Sequence, residues 1–350
     1  MKVLIIFDRS GPKYHRCLLP TFLMDGVETI VNHTIVEEQL EGVDILFFNR
    51  MVGNTTIQRI TELREKYGFK IVIDFDDHWR LDAGHYLYHT YQHYRLSEIM
   101  ELFIGIADAV TVTHERLANE VRPLNGNVHV LPNAIPKWGQ FMTKKQDSEF
   151  TRLFWAGGIT HKNDIELLRN PVKRMHKSVQ MVMGGYVDNP EFKAMASAYT
   201  NGGKLNHELL NALPVEDYYH AYSKCDISLI PLQPGRFNSF KSNLKILEAA
   251  NIGSPVIVSK VHPYLDFPDD LVDYVEIAGD WNRHISYAIK HKEYIKEKGK
   301  RLMWYCDEHY NFEKINKERK QIFEYVTGKQ SEAREIPSHL QYVDQRQGIA

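Results

Sequence analysis

Two lysines and a glutamate in the segment KSNLKILE are the residues of this chain best suited to bind a charged ligand. Lys241 and Lys245 are four residues apart, so on a helix they would project from one face of its first turn. Cations are disfavoured beside the free N–H groups of a helix start, so two lysines there indicate an anion between them. Glu248 would accept hydrogen bonds from hydroxyl groups beyond that anion. The spacing suits a nucleotide diphosphate with its ribose.

An ordinary exposed helix face is the alternative, because solvated lysines and a salt bridge between Lys245 and Glu248 would give the same pattern. The flanking segments favour a ligand. A strand-like run and a polar loop precede a helix that is expected to begin near Ser242, with Ser242 or Asn243 as its cap. Gly253 would end the helix before the strand-like PVIVS. In an open parallel sheet this order places the helix start where such folds bind ligands.

A second polar cluster, DFDDHW, follows an apolar run in the first half of the chain. Its side chains stand where a strand would end, and Asp76, Asp77 and His78 would orient an acceptor hydroxyl there or take its proton. Binding of a divalent metal and capping of the next element are the alternatives. Upstream, Gly11 would let the backbone approach a ligand. Arg16 would lie beside the same cleft or on the surface.

His85, His89 and His93 recur every four residues among tyrosines and would share one helical face. Such a row is a possible set of zinc ligands, but no carboxylate motif accompanies it. An aromatic helix that borders the cleft is the favoured interpretation.

Alternating strand and helix patterns predict the architecture. Strands are expected over residues 2–7, 27–31, 43–49, 70–75, 107–113, 128–131, 151–156, 179–183, 226–232 and 255–259. Helices are expected over 14–24, 57–67 and 312–325, with a helical pattern over 280–300. The alternation predicts an α/β protein whose parallel sheets are joined by helical crossovers.

Glycines follow two of these strands in the second half. Gly157 and Gly158 come after the first of them, with Lys162 close behind. Gly185 and Tyr186 come after the next. Glycine lets a phosphate approach the backbone, and Lys162 would reach the phosphate oxygens.

Length and composition fit two globular domains. The 350 residues are 43% hydrophobic and 25% charged, and the net charge of −2 gives no overall field that would attract nucleic acid or an anionic membrane. Three cysteines form no disulfide or zinc pattern, which fits a reducing cytoplasm. The first apolar run is too short for a signal peptide, and no run approaches the roughly 18 residues of a transmembrane helix. We therefore expect a cytoplasmic protein.

The segment KSNLKILEAANIGSPVIVS resembles the nucleotide-sugar-binding helix of GT-B-type glycosyltransferases of the group 1, or family 4, class. LPVEDYYHAYSKCDISLIPL is similar to the helix and strand that precede it in that class, and LPNAI to the sequence that closes the first domain. The resemblance implies the GT-B architecture, two Rossmann-like doubly wound domains facing each other across a cleft. The acceptor domain would be 1–135, the linker 136–150, the nucleotide-sugar domain 151–305, a helix crossing back 306–328 and a tail 329–350.

The resemblance also implies which residues meet each substrate. The donor side would comprise Gly157, Gly158, Lys162, Gly185, Tyr186, Leu213, Lys241, Ser242, Asn243, Lys245 and Glu248. Asp77, His78 and Lys241 would be catalytic, and Gly11, Arg16 and Asp76 would face the acceptor. The lysines would stabilise the departing diphosphate, and the nucleotide base would contact the backbone near Leu213.

Phe240 departs from the family pattern. Retaining members carry two glutamates with seven residues between them, the first at the sugar ring and the second at the ribose. Glu248 matches the second, whereas Phe240 stands at the first. The ribose contact is therefore carried over and the sugar contact is not, which leaves retention of the anomeric configuration open.

The resemblance predicts a glycosyltransferase that requires no metal and no cofactor beyond its nucleotide-sugar co-substrate. Its acceptor would be a glycan, a lipid-linked glycan or a modified base in DNA. Two alternatives stay open. One is a non-catalytic nucleotide-sugar-binding protein, which Phe240 favours, and the other is a sugar-nucleotide epimerase of the same fold.

Overall fold

The first half of the chain folds around a parallel six-stranded sheet. The structure is a computed structural model that describes residues 1–8, 10–53, 55–176 and 178–329. The strand order is β2-β1-β3-β4-β5-β6, with β1 Lys2–Ile6, β2 Glu28–Asn32, β3 Ile45–Asn49, β4 Lys70–Phe75, β5 Ala109–Val112 and β6 Val128–Val130. Every neighbouring pair is parallel. The central strands are mostly apolar because both faces of such a sheet are covered.

The second half also folds around a parallel six-stranded sheet, with the order β12-β11-β10-β7-β8-β9. Its strands are β7 Thr151–Ala156, β8 Val179–Tyr186, β9 Asn206–Asn211, β10 Ile227–Ile230, β11 Val256–Ser259 and β12 Asp273–Val275, again all parallel. The predicted architecture of two Rossmann-like doubly wound units is confirmed. The sequence does not predict β9 and β12, since both are partly exposed edge strands without a continuous apolar run.

Helices flank both sheets. In the first half they are α1 Gly11–Lys13, α2 Leu19–Phe22, α3 Ile57–Tyr67, α4 Tyr88–His93, α5 Leu96–Ile106 and α6 Glu115–Val121, with a π-helical turn, Tyr14–Leu18, between α1 and α2. In the second half they are α7 Lys162–Ile165, α8 Arg169–Val172, α9 Pro190–Tyr199, α10 Leu244–Asn251, α11 Trp281–Lys290, α12 Lys292–His309 and α13 Phe312–Thr327. None of the described helices combines the length and apolar character needed to cross a bilayer.

Two local predictions are wrong. β8 continues through Gly185 to Tyr186, so these residues belong to the strand and do not follow it. His85 lies in the turn before α4, so it shares no helical face with His89 and His93.

Helix α13 packs against the first half of the chain. The Asn316 Nδ2 donates to the Pro20 carbonyl at 2.9 Å, and the Phe323 ring meets the Phe47 ring edge-on with 5.2 Å between centroids. Because α12 ends at His309, the boundary expected at residue 306 falls inside a helix. The expected tail lies outside the described residues from 330 onward.

Candidate functional site

Helix α10 carries two of the predicted donor residues, Lys245 and Glu248, and follows the loop after β10. The predicted side-chain cap is not formed, because the Asn243 Nδ2 donates to the Tyr310 hydroxyl at 3.0 Å. Ser242, one residue earlier, is half-buried. Beyond the helix, Gly253 has a φ of +65°, the left-handed conformation expected at its end.

Lys245 lies over the end of β7. Its Nζ is 5.5 Å from the centre of the Trp155 ring, and burial lowers the pKa of Lys245 to about 8 while Asp164 opposes the change. A Cβ at Gly157 would lie 3.1 Å from this Nζ and 3.0 Å from Trp155. A Cβ at Gly185, whose φ is +85°, would lie 2.8 Å from the Gly157 carbonyl oxygen. Gly185 therefore lets the end of β8 approach the end of β7, and Gly157 leaves room for the Trp155 ring and the Lys245 Nζ.

Glu248 lies in the middle of α10 and is buried. Its Oε2 accepts a hydrogen bond from the Tyr222 hydroxyl at 2.6 Å. Burial raises the pKa of Glu248 to about 7, although Tyr222 and Lys245 both act to lower it. The carboxyl group is thus held at a fixed point, with one oxygen engaged by the protein.

Lys241 does not share a helical face with Lys245, since it lies in extended backbone three residues before α10 begins. Its Nζ is 3.6 Å from the Asp77 carboxylate of the first half. Arg50 reaches the same Asp77 oxygen at 3.2 Å and Asp76 at 3.0 Å. The two carboxylates at the end of β4 are therefore neutralised by cations from both halves of the chain.

Arg16 lies in the interior instead of on a surface facing the cleft. It is 2% exposed, and its NH2 group pairs with Asp74 at 2.8 Å. Its other donors reach the Leu131 carbonyl at 2.7 Å and the Asn133 Oδ1 at 3.2 Å. The guanidinium thus joins β4 to the segment that follows β6, and its donors are occupied.

His78 is also buried, and both of its ring nitrogens have partners. Nδ1 accepts from the backbone N–H of Arg80 at 2.8 Å, so Nε2 carries the proton and donates to Glu120 at 3.2 Å. Burial lowers the pKa of His78, although Glu120 opposes the shift. In this arrangement His78 has no lone pair available to take a proton from an acceptor.

Phe240 packs onto the first half of the chain. Its carbonyl accepts from the His114 Nε2 at 3.1 Å, and its ring is 4.8 Å from the Arg116 guanidinium. Nearby, the backbone N–H of Phe237 donates to Asp82 at 2.9 Å. The sequence pattern marks Phe240 as a missing carboxylate but does not indicate this contact.

The remaining predicted residues include exposed side chains and one that lines a separate cavity. Lys162 is exposed. Leu213 is exposed as well and lines a cavity of about 600 Å³ with Met142 and His220, none of whose lining residues belongs to α10. Gly158 faces open space, whereas a Cβ at Gly11 would come 4.0 Å from Val215 of the second half.

Four side chains in the site were not predicted: Arg50, Trp155, Asp164 and Tyr222. Arg50 directly follows β3, so its position after an apolar run was the available signal. Trp155 and Tyr222 look like core residues in the sequence, and Asp164 lies within a short helical pattern. Among the described residues, no set of three or more His, Cys, Asp or Glu side chains is arranged to hold a metal ion.

No family model matches the chain, and no curated protein matches it in sequence. Solved structures do match its fold. Sucrose-phosphate synthase from Thermosynechococcus elongatus aligns with a TM-score of 0.69 at 12% identity, over 94% of this chain and 99% of that one. Anabaena HepE bound to UDP and glucose aligns with a TM-score of 0.67 at 11% identity, over 91% of this chain and 98% of that one. An alpha-glucosyltransferase bound to UDP and a 13-mer DNA containing an HMU base aligns with a TM-score of 0.60 at 13% identity, over 92% of this chain and 99% of that one. The chain has the GT-B fold.

Proposed function

We propose that the protein is a glycosyltransferase that moves a sugar from a nucleotide-diphosphate-sugar donor to an acceptor hydroxyl. One observation carries most of this proposal. Lys241 and Lys245 flank the start of α10, and Lys241 lies 3.6 Å from Asp77 of the opposite half. A cation of one half thus faces a carboxylate of the other, so groups suited to a donor and to an acceptor lie together. The UDP present in two of the compared structures supports a nucleotide diphosphate as the ligand.

In this proposal the donor lies across α10 and the ends of β7 and β8. Lys245 and Lys241 bind the diphosphate beside Gly157, where the absence of a side chain leaves room for the Lys245 Nζ. The ribose hydroxyls meet Glu248, whose Oε2 is already engaged by Tyr222 and whose Oε1 is directed to the ligand. Leu213 and Tyr186 line the side of the nucleotide base.

The lysines stabilise the negative charge that develops on the diphosphate as the bond between the sugar and the phosphate oxygen breaks. This supply of positive charge is why we propose transfer without a metal. Diphosphate binding draws Lys241 away from Asp77, which then accepts the proton of the acceptor hydroxyl. Closure of domains 1–135 and 151–305 about the linker 136–150 excludes water, which would otherwise hydrolyse the donor.

For the acceptor we keep three classes: a glycan, a lipid-linked glycan and a modified base in DNA. The DNA in one compared structure supports the third class. The family resemblance favours retention of the anomeric configuration, whereas Phe240 at the place of the sugar-contacting glutamate leaves that outcome open. A cytoplasmic location is supported by three free and buried thiols, Cys17, Cys225 and Cys306.

A non-catalytic nucleotide-sugar-binding protein is the second candidate. It is favoured by the buried Phe240 and by the neighbourhood of the expected acceptor site, where His78 has no free nitrogen and Asp77 is paired with two cations. Such a protein would bind the donor and turn nothing over.

Ligand binding and turnover separate these candidates. UDP, GDP, dTDP, CMP and ADP are screened by thermal shift against the wild type and Lys241→Ala, since a ligand of the native state raises its melting temperature. The matching nucleotide sugar is then incubated with the protein, and free nucleotide is measured. We expect one diphosphate to stabilise the wild type alone and slow release of nucleotide even without acceptor. Nucleotide binding without release of free nucleotide supports the non-catalytic binding protein. If no nucleotide binds, both candidate functions are excluded.

A further inference from the structure

His161 lies beside Lys245 at the end of β7. Its Nδ1 is 2.8 Å from the Asp164 Oδ2, and its ring approaches the Trp155 ring edge-on with 6.5 Å between centroids. Lys245 Nζ is 5.5 Å from the same indole. The imidazole and the ammonium group therefore share one wall of the proposed diphosphate site.

Asp164 holds this histidine and the loop before Lys241 at once. It is 4% exposed, and its Oδ1 accepts from the backbone N–H of Gln233 at 2.8 Å. The Asn238 amide approaches the same oxygen at 3.4 Å. Burial acts to raise the pKa of Asp164, but its hydrogen bonds and nearby cations outweigh burial and lower it. The carboxylate is thus ionised and accepts hydrogen bonds only.

This arrangement fixes the tautomer of His161. Because Asp164 accepts, Nδ1 carries the proton, and Nε2 of the neutral ring has a free lone pair. Within the described residues, Nε2 has no hydrogen-bond partner in the structure. Burial lowers the pKa of His161 to about 3, with Lys245 and Lys241 acting in the same direction and Asp164 opposing them. In the free protein the ring is therefore neutral.

We propose that His161 is a further donor-binding residue, whose Nε2 takes up a proton when the diphosphate binds and donates it as a hydrogen bond to a phosphate oxygen, with Asp164 as its positioning residue. This inference rests on the proposed function. The two lysines that disfavour an imidazolium are then paired with phosphate oxygens, and the added negative charge favours the charged ring. Asp164 stabilises the same state through its short hydrogen bond to Nδ1.

Donor binding should depend on pH because it is coupled to protonation of His161. Binding that takes up a proton weakens as pH rises, by up to about tenfold per pH unit until the bound-state pKa is reached. The groups that face His161 are Lys245, Lys241 and Asp164. At about pH 6, Lys245 is already protonated in the free protein because its pKa is about 8. Uptake measured at this pH therefore does not come from Lys245.

Isothermal titration with UDP-glucose at about pH 6, in buffers of different ionisation enthalpy, counts the protons exchanged. UDP-glucose is the probe because its diphosphate diester has no group that titrates near neutrality. We expect uptake that exceeds that of His161→Gln by about one proton per ligand. Glutamine can still donate to Asp164 but does not ionise, and Glu248 contributes equally to both proteins. Asp164→Asn should reduce the uptake, whereas the exposed His207→Gln should leave it unchanged.

The outcomes separate this inference from the function on which it rests. Equal proton uptake by the wild type and His161→Gln, both of them folded and binding UDP-glucose, would overturn the inference and leave the donor site standing. If UDP, GDP, dTDP, CMP and ADP all fail to bind the wild type, the proposed function fails and the inference fails with it. Circular dichroism establishes that each variant is folded.

Discussion

The Phe240 ring lies 4.7 Å from the His78 imidazole, measured between ring centroids, and the two residues come from opposite halves of the chain. Phe240 is 3% exposed and belongs to the apolar cluster of the first half. His78 in turn stacks on Trp79 at 4.6 Å. Phe240 is therefore a packing residue that joins the loop before α10 to the first half of the chain.

Replacing Phe240 tests this packing. Phe240→Ala should lower the free energy of unfolding by about 3–5 kcal/mol, because it removes a buried ring and leaves a cavity between the halves. The control Phe22→Ala changes a ring that is 61% exposed and should stay within about 0.5 kcal/mol. Urea unfolding measures both. Equal stability of the two variants would contradict the contact between Phe240 and His78.

Substitution of three lysines tests which of them bind the diphosphate, since the family pattern includes Lys162 and the structure shows it exposed. Lys241→Ala and Lys245→Ala should each weaken binding of the nucleotide diphosphate by about 10- to 100-fold, because each removes a charged hydrogen-bond donor. The exposed Lys162→Ala is the matched control and should change affinity by less than about twofold. Calorimetric titration gives the dissociation constants. If Lys162→Ala weakened binding of the diphosphate as much as Lys245→Ala, α7 would have to face the ligand.

Glu248 predicts a dependence of stability on pH. Its pKa is raised to about 7 from the ordinary 4.5. The protonated carboxyl group therefore contributes fully to the free energy of unfolding below pH 4.5, and this contribution declines as pH rises through 7. Glu248→Gln removes this decline. Relative to the wild type, the variant should gain about 1–3 kcal/mol of unfolding free energy between pH 5 and pH 8. Urea unfolding at both pH values tests this, and parallel curves for the two proteins would exclude a raised pKa.

Arg16 distinguishes a structural from an acceptor-binding role. Arg16→Met leaves Asp74 buried without its cation and should cost about 3–5 kcal/mol of unfolding free energy. The exposed Arg59, which pairs with Glu37, is the control, and Arg59→Met should cost less than about 1 kcal/mol. Stability is measured by urea unfolding and compared with transfer activity. An Arg16→Met protein that keeps its stability and loses activity would place Arg16 at the acceptor.

Local patterns were enough to predict several elements and the place of Lys245 on a helix, whereas Lys241 lies before that helix. α3 and β4 begin and end at the predicted residues, because their apolar periodicity is a property of neighbouring positions. The spacing of Lys245 and Glu248 likewise predicts their shared place on α10. β9 has no such pattern, since an edge strand with one partner alternates polar and apolar residues weakly.

The sequence by itself determined the parallel sheets and the place of Lys245 and Glu248 on one helix, because strand burial and helix spacing are local. Only the tertiary structure decided that Phe240 packs on His78, that Lys241 faces Asp77 and that Asp164 holds His161 against the loop at Gln233. The first two contacts join residues more than 150 positions apart. They depend on how the two halves meet, which the periodicity of neighbouring residues does not encode.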